Sequence, residues 1–187
     1  SRDIEGGEQS KQLNLLMQAV PNIERIGDYA TNFNELAERL VNDKLCFSGG
    51  AKDELTLLIQ AGEEIIKLTT NALEDDDNRL ARRIEPLEEV IDDMVMLMKN
   101  RHTERLRSGN CAIQTGLIFT EVLTYLERAA DQCSSIAMLM MARENDAIMK
   151  NHHDYLREPH SGNGEDYRQE FKRQQEKYIV PLEAIVL

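Results

Sequence analysis

The chain has 187 residues, of which 30% are charged and 5% aromatic, with no Trp and a formal net charge of −12. That length supports one compact domain or two small ones with a sizeable core, and the acidic balance argues against nucleic acid, whose phosphate backbone calls for a basic surface. Cys46, Cys111 and Cys133 show no CxxC spacing, which speaks against a disulfide framework or zinc knuckle and for a reducing compartment.

The apolar residues are mostly Leu, Ile, Met, Ala and Val, the vocabulary of packed helices. Their periodicity predicts an all-α protein with no strand. A first helix is predicted over about Ser10–Val41, with Pro21 kinking or splitting it. A second starts after Ser48-Gly49-Gly50 and ends in the acidic run Glu74–Asp77, read as a solvated turn. A third carries Leu80, Ile84, Leu87, Ile91 and Met94 on to Leu106, with a bend at Pro86. Ser108-Gly109-Asn110 then breaks the chain, and a fourth helix runs from about Ala112 to Asn145. Residues Asn151–Gly164 read as a loop and Glu165–Tyr178 as a short charged helix. The apolar tail Ile179–Leu187 is expected to dock on a neighbour. Met94, Met96, Met98 and Met138–Met141 read as core filler, and His102 as a hydrogen-bonded structural histidine. No apolar stretch approaches the roughly 20 residues of a spanning helix.

One phrase occurs twice. I-E-R-I-G-D-Y-A-T-N at Ile23–Asn32 returns as L-E-R-A-A-D-Q-C-S-S at Leu126–Ser135, so that Glu24, Arg25 and Asp28 reappear as Glu127, Arg128 and Asp131 (127 − 24 = 103). A repeat implies a duplicated structural unit. At the same offset Gly7 maps to Asn110, so residues 1–7 correspond to the end of the third helix and the turn after it. One three-helix repeat is then complete (Ser48 to Asn145), the other is represented by its last helix, and two further helices are expected upstream in the native protein.

In each copy the carboxylates lie one turn apart on one helix face. The run L-E-E-V-I-D-D supplies two more such pairs, Glu88 with Asp92 and Glu89 with Asp93. Facing helices that each offer carboxylates one turn apart can gather oxygen ligands around a hard metal ion. A lone E-x-x-x-D pair is more often a solvated face. Glu127 and Asp131 point away from the Val122–Leu126–Ala129–Cys133–Ile136 stripe, as a solvated face or an exposed metal site would. Gly116, Thr120, Thr124, Ser134 and Ser135 share that side and leave room for an ion or another helix. The short turn at Ser108–Asn110 makes the third and fourth helices antiparallel neighbours, so Glu127 and Asp131 are expected to face Glu88 and Asp92. Arg25 and Arg128 read as intrahelical partners of nearby carboxylates. A ferritin-like di-metal oxidase would use Glu-x-x-His pairs, and none is present; a site-free helical scaffold is the other rival.

On these motifs the chain resembles the PhoU family, phosphate-uptake regulators built from two three-helix repeats marked E-R-x-x-D-x-x-x-N. Ser135 stands where the second copy would have Asn. L-E-E-V-I-D-D followed by R-H-T-E-R-L-R-S-G-N-C is similar to the PhoU-like region at the C-terminus of bacterial sodium/phosphate cotransporters, as is H-D-Y-L-R-E in the tail. The resemblance implies a PhoU-like antiparallel helical bundle over 1–150, followed by a C-terminal appendage over 151–187. It also implies a non-enzymatic regulatory domain at the cytoplasmic face of the bacterial inner membrane. Its partner would be the membrane transporter portion of the same full-length protein, with homo-oligomer formation left open; a free-standing PhoU-type phosphate-transport regulator is the alternative. The implied metals are divalent or trivalent ions of iron or zinc type, with ligand candidates Glu24, Asp28, Glu88, Asp92, Glu127 and Asp131, and Asn32 beside the first pair.

Overall fold

The computed structural model describes residues 2–144 and 164–186, so the predicted loop Asn151–Gly164 lies outside the described residues except for Gly164, which is helical. Every described element is a helix: α1 (Arg2–Asn42), α2 (Gly49–Asp75), the single turn α3 (Asn78–Ala81), α4 (Ile84–Arg107), α5 (Ile113–Glu144) and α6 (Gly164–Ala184). No described helix is long and apolar enough to cross a membrane.

α5 is the hub. α1, α2, α3 and α4 all pack against it, and it is the only described helix that α1 touches. Ile118, Phe119, Leu123, Ile136 and Met140 of α5 are fully buried with Leu58 and Ile65 of α2 and Ile84, Leu87, Ile91, Met94 and Met98 of α4. These positions recur at three- and four-residue steps, which puts them on one face of each helix.

Several boundaries depart from the sequence expectation for local reasons. α1 runs uninterrupted through Pro21, so the helix does not split there. It also extends back to Arg2, so the stretch that the repeat sets against the α4–α5 turn is helical. Gly49 and Gly50 belong to the first turn of α2 rather than to a break, because the Ser48 hydroxyl caps the helix by accepting from the Ala51 N–H. The acidic run is structured as well: Asp76 closes α2 in the left-handed conformation, Asp77 caps α3, and Asp76 pairs with Arg143 of α5 at 2.6 Å. The third predicted helix is two helices, and Pro86 falls in the first turn of α4, where a missing N–H costs nothing. Met96 is 60% exposed, so it is not core.

α6 is longer than predicted, continuing through Pro181, and it lies across α4 and α2. Its C-terminal carbonyls are held by Arg101, which donates to Leu182 O at 2.7 Å and to Ile185 O. The chain then passes so close to Gly50 that a Cβ there would stand 2.7 Å from Val186 O. Beneath that junction the fully buried Glu54 accepts two hydrogen bonds from Arg105, at 2.9 and 2.8 Å, and pairs with Arg101 Nε at 2.9 Å. Removing one member of such a buried network typically costs about 3–5 kcal/mol, because the others are left charged and unpaired.

Candidate metal centre

α4 carries Glu88 and Asp92 one turn apart, and the antiparallel α5 brings Asp131 across from them. One carboxylate oxygen of each lies within 4.8 Å of the other two, the one such grouping among the described residues. Glu88 is half-buried, while Asp92 and Asp131 sit at the exposed edge of the cluster with their carboxyl groups partly shielded from water. Burial, then Glu85, Asp92 and Asp131, pushes the Glu88 carboxyl up to about 9. Burial followed by Asp131 and Glu127 raises Asp92 to about 6. Asp131 is also raised, chiefly by burial, with a hydrogen bond from Glu88 opposing the shift. In the absence of a cation the cluster therefore keeps a proton on Glu88 and shares it with Asp131. A hard cation would replace that proton and relieve the same repulsion. All-oxygen donors within one ion's reach fit such a cation.

The predicted site residues divide sharply. Glu88, Asp92 and Asp131 converge. Glu127 stands beside them with its carboxylate on Lys99 Nζ at 2.8 Å, so three carboxylates meet where four were expected. Glu24 and Asp28 lie exposed on α1, outside any carboxylate grouping among the described residues. Arg25 is not an intrahelical partner; its Nη1 reaches Gln132 of α5 at 3.4 Å. Gly116 owes its small size to packing, since a Cβ there would meet the His102 ring at 2.9 Å. His102 is buried with its ring against Phe119, which supports the structural part of the expectation but not its hydrogen bond.

Other residues join the site's surroundings. Glu85, one turn before Glu88, accepts a hydrogen bond from Ser134, and its three-residue spacing from Glu88 was readable. Lys99, seven residues after Asp92, lies on the same face of α4 and was equally readable. Tyr167 of α6 was not. Its hydroxyl donates to Glu89, and burial together with Glu89, Glu85 and Glu88 raises the phenol well above its ordinary range.

Residues 55–140, from early α2 through most of α5, match the family model for the PhoU domain. That stretch resembles a PhoU domain. It makes up a little under half of the chain and contains all three converging carboxylates. Two curated relatives are similar over a longer range. The phosphate-specific transport system accessory protein PhoU homolog 1 of Thermotoga maritima is 25% identical over 154 residues, covering 82% of this chain and 64% of the relative. The corresponding PhoU homolog of Synechocystis is 27% identical over 126 residues, covering 67% of this chain and 54% of the relative. The chain thus spans less than two thirds of the length of either. No solved structure matches it.

Proposed function

We propose that this chain belongs to the PhoU family and is a non-enzymatic regulator of phosphate transport that acts on the cytoplasmic side and holds a metal ion at Glu88, Asp92 and Asp131. The observation that carries the metal assignment is their convergence inside the matched PhoU stretch. The relatives are named as accessory proteins of a phosphate-specific transport system. Their names favour a separate PhoU-type regulator over the regulatory domain of a sodium/phosphate cotransporter, so the transporter partner is another protein. Iron or zinc is the expected metal type, with Glu127 at the edge of the site.

The repeat reading of the fold belongs to the same proposal. At the offset of 103 residues, Leu16, Val20 and Ile23 of α1 correspond to Phe119, Leu123 and Leu126 of α5 (16 + 103 = 119). The α5 residues are buried against α2 and α4, whereas the α1 residues are 43%, 46% and 48% exposed. This supports α1 as the counterpart of α5, with its packing face open. α6 lies outside the matched stretch, and we read it as an addition to the unit.

Metal analysis of protein purified without added metal tests the assignment. We expect a transition metal in the parent and its loss in Glu88→Gln/Asp92→Asn. Expression of both forms in cells lacking their own PhoU should restore regulated phosphate uptake only with the parent. Equal metal content in the two would remove the site from these residues, and restoration by neither would remove the regulatory role.

A further inference from the structure

The acidic cluster lies toward one end of α4. Ten residues further along that helix, about 15 Å at 1.5 Å per residue, the electrostatics reverse. A cavity of about 190 Å³ opens where the α1–α2 loop meets the α4–α5 turn, and none of its lining residues is Asp or Glu. It is smaller than the roughly 300–1,000 Å³ of pockets for drug-sized ligands, so it suits a molecule of a few heavy atoms.

Three sources of positive potential converge on it. The first is the start of α5, represented on the wall by Cys111, Ala112 and Thr115. Gly116 is the first α5 residue whose N–H finds a carbonyl one turn back, Ala112 O at 2.9 Å, and Ala112 has no side-chain oxygen to cap the N–H groups before it. The second is the field of α2, whose start puts Ser48 and Ala51 on the wall; the Ser48 hydroxyl already takes the Ala51 N–H, so α2 adds its dipole rather than that donor. Helix N-termini carry roughly half a positive charge each and are ready-made anion sites. The third is independent of the helices. Arg105 lines the cavity, is only 4% exposed, and keeps Nε without a hydrogen-bond partner among the described residues. Its carboxylate partner Glu54 is shared with Arg101, so two buried guanidiniums face one carboxylate. His102, also on the wall, is held below the usual imidazole range by burial and by Arg105.

We propose that this cavity binds a small oxyanion of the phosphate or sulfate type, held by the uncapped α5 N-terminus with Arg105 behind it and the α2 dipole adding to the field. This site is separate from the acidic cluster and does not depend on the metal assignment.

Two thiols on the wall, the exposed Cys46 and the half-buried Cys111, serve as reporters, and the buried Cys133 as an internal control. The full chain is titrated with inorganic phosphate, and in parallel with sulfate, at constant ionic strength. A chelator is present, so that an anion held through metal at the acidic cluster gives no signal. Iodoacetamide alkylation of each cysteine is followed by mass spectrometry. We expect phosphate to slow Cys111 alkylation several-fold and saturably while chloride does not. Matching protection by sulfate shows a general oxyanion site, and its absence a phosphate-selective one. Ala112→Asp supplies the missing cap to α5 and puts a carboxylate at the mouth of the cavity, so it should fold and lose the protection. Thr115→Val should weaken it. The proposal is overturned if neither oxyanion gives saturable slowing, if chloride slows alkylation equally, or if Ala112→Asp is protected as well as the parent.

Discussion

The two copies of the E-R-x-x-D phrase ride on helices packed side by side, yet they live in different surroundings. On α5, Asp131 meets Glu88 and Asp92 from α4. On α1 the same pair of carboxylates is exposed, and among the described helices α1 touches only α5, which sends Gln132 to Arg25 and Glu121 to Arg39. Carboxylates one turn apart define a direction on a helix; the facing helix decides whether that direction holds a site. The contrast extends to the apolar side of each helix, closed over Phe119 and Leu123 and open over Leu16 and Val20.

The strongest way to break this comparison is to neutralise each pair in turn and measure metal-dependent melting. An ion at 100 times its dissociation constant stabilises a fold by about 2.7 kcal/mol. For a chain of this size, that is a rise in Tm of roughly 5–10 °C. We expect Glu88→Gln/Asp131→Asn to abolish the rise and Glu24→Gln/Asp28→Asn to leave it intact. Loss of the rise in the α1 variant would show that the two copies act together.

A second effect needs no metal. Glu88 is raised from 4.5 to about 9 and Asp92 from 3.8 to about 6. The folded state then holds these protons more tightly than the unfolded chain does. Stability is complete below the unfolded values and is lost as pH climbs through the folded ones, so metal-free protein should weaken between about pH 5 and 9. The fall should be on the order of 1–3 kcal/mol once solvent screening at the half-open cluster is allowed for. Denaturation at stepped pH values should show this slope in the parent, a shallower one in Glu88→Gln, and the parent's slope in Glu24→Gln/Asp28→Asn.

Much of this was legible before any coordinates. Period-3.6 patterning located the long helices, and the short Ser108–Asn110 turn correctly made α4 and α5 antiparallel neighbours. The convergence of Glu88, Asp92 and Asp131 follows from that turn plus helical geometry. What escaped were contacts that depend on rotation about a helix axis by a few tens of degrees. Glu127 is one turn from Asp131 yet turns to Lys99, and Arg25 reaches across to α5. α6 was underestimated because its charged first half hides an apolar side that ends in the buried Tyr178 and Leu182. Local rules also misplaced a break: Gly49-Gly50 is helical because the Ser48 cap outweighs the glycines' propensity, and α1 continues past Pro21 without splitting.

The smallest effect gives the finest comparison, because it asks whether Glu127 belongs with Asp131 or with Glu24. Lys99 and Glu127 are 42% and 33% exposed, so their ion pair contributes about 0–1 kcal/mol to the metal-free fold. Lys99→Met should therefore cost little stability. It also removes an ammonium that lowers Asp92 and frees Glu127 as a fourth carboxylate. Calorimetric titration should then show several-fold tighter metal binding than in the parent, and Glu127→Gln in the Lys99→Met background should reverse the gain. An unchanged affinity in Lys99→Met would leave Glu127 as far outside the site as its counterpart on α1, and the repeated motif would contribute a single ligand, Asp131.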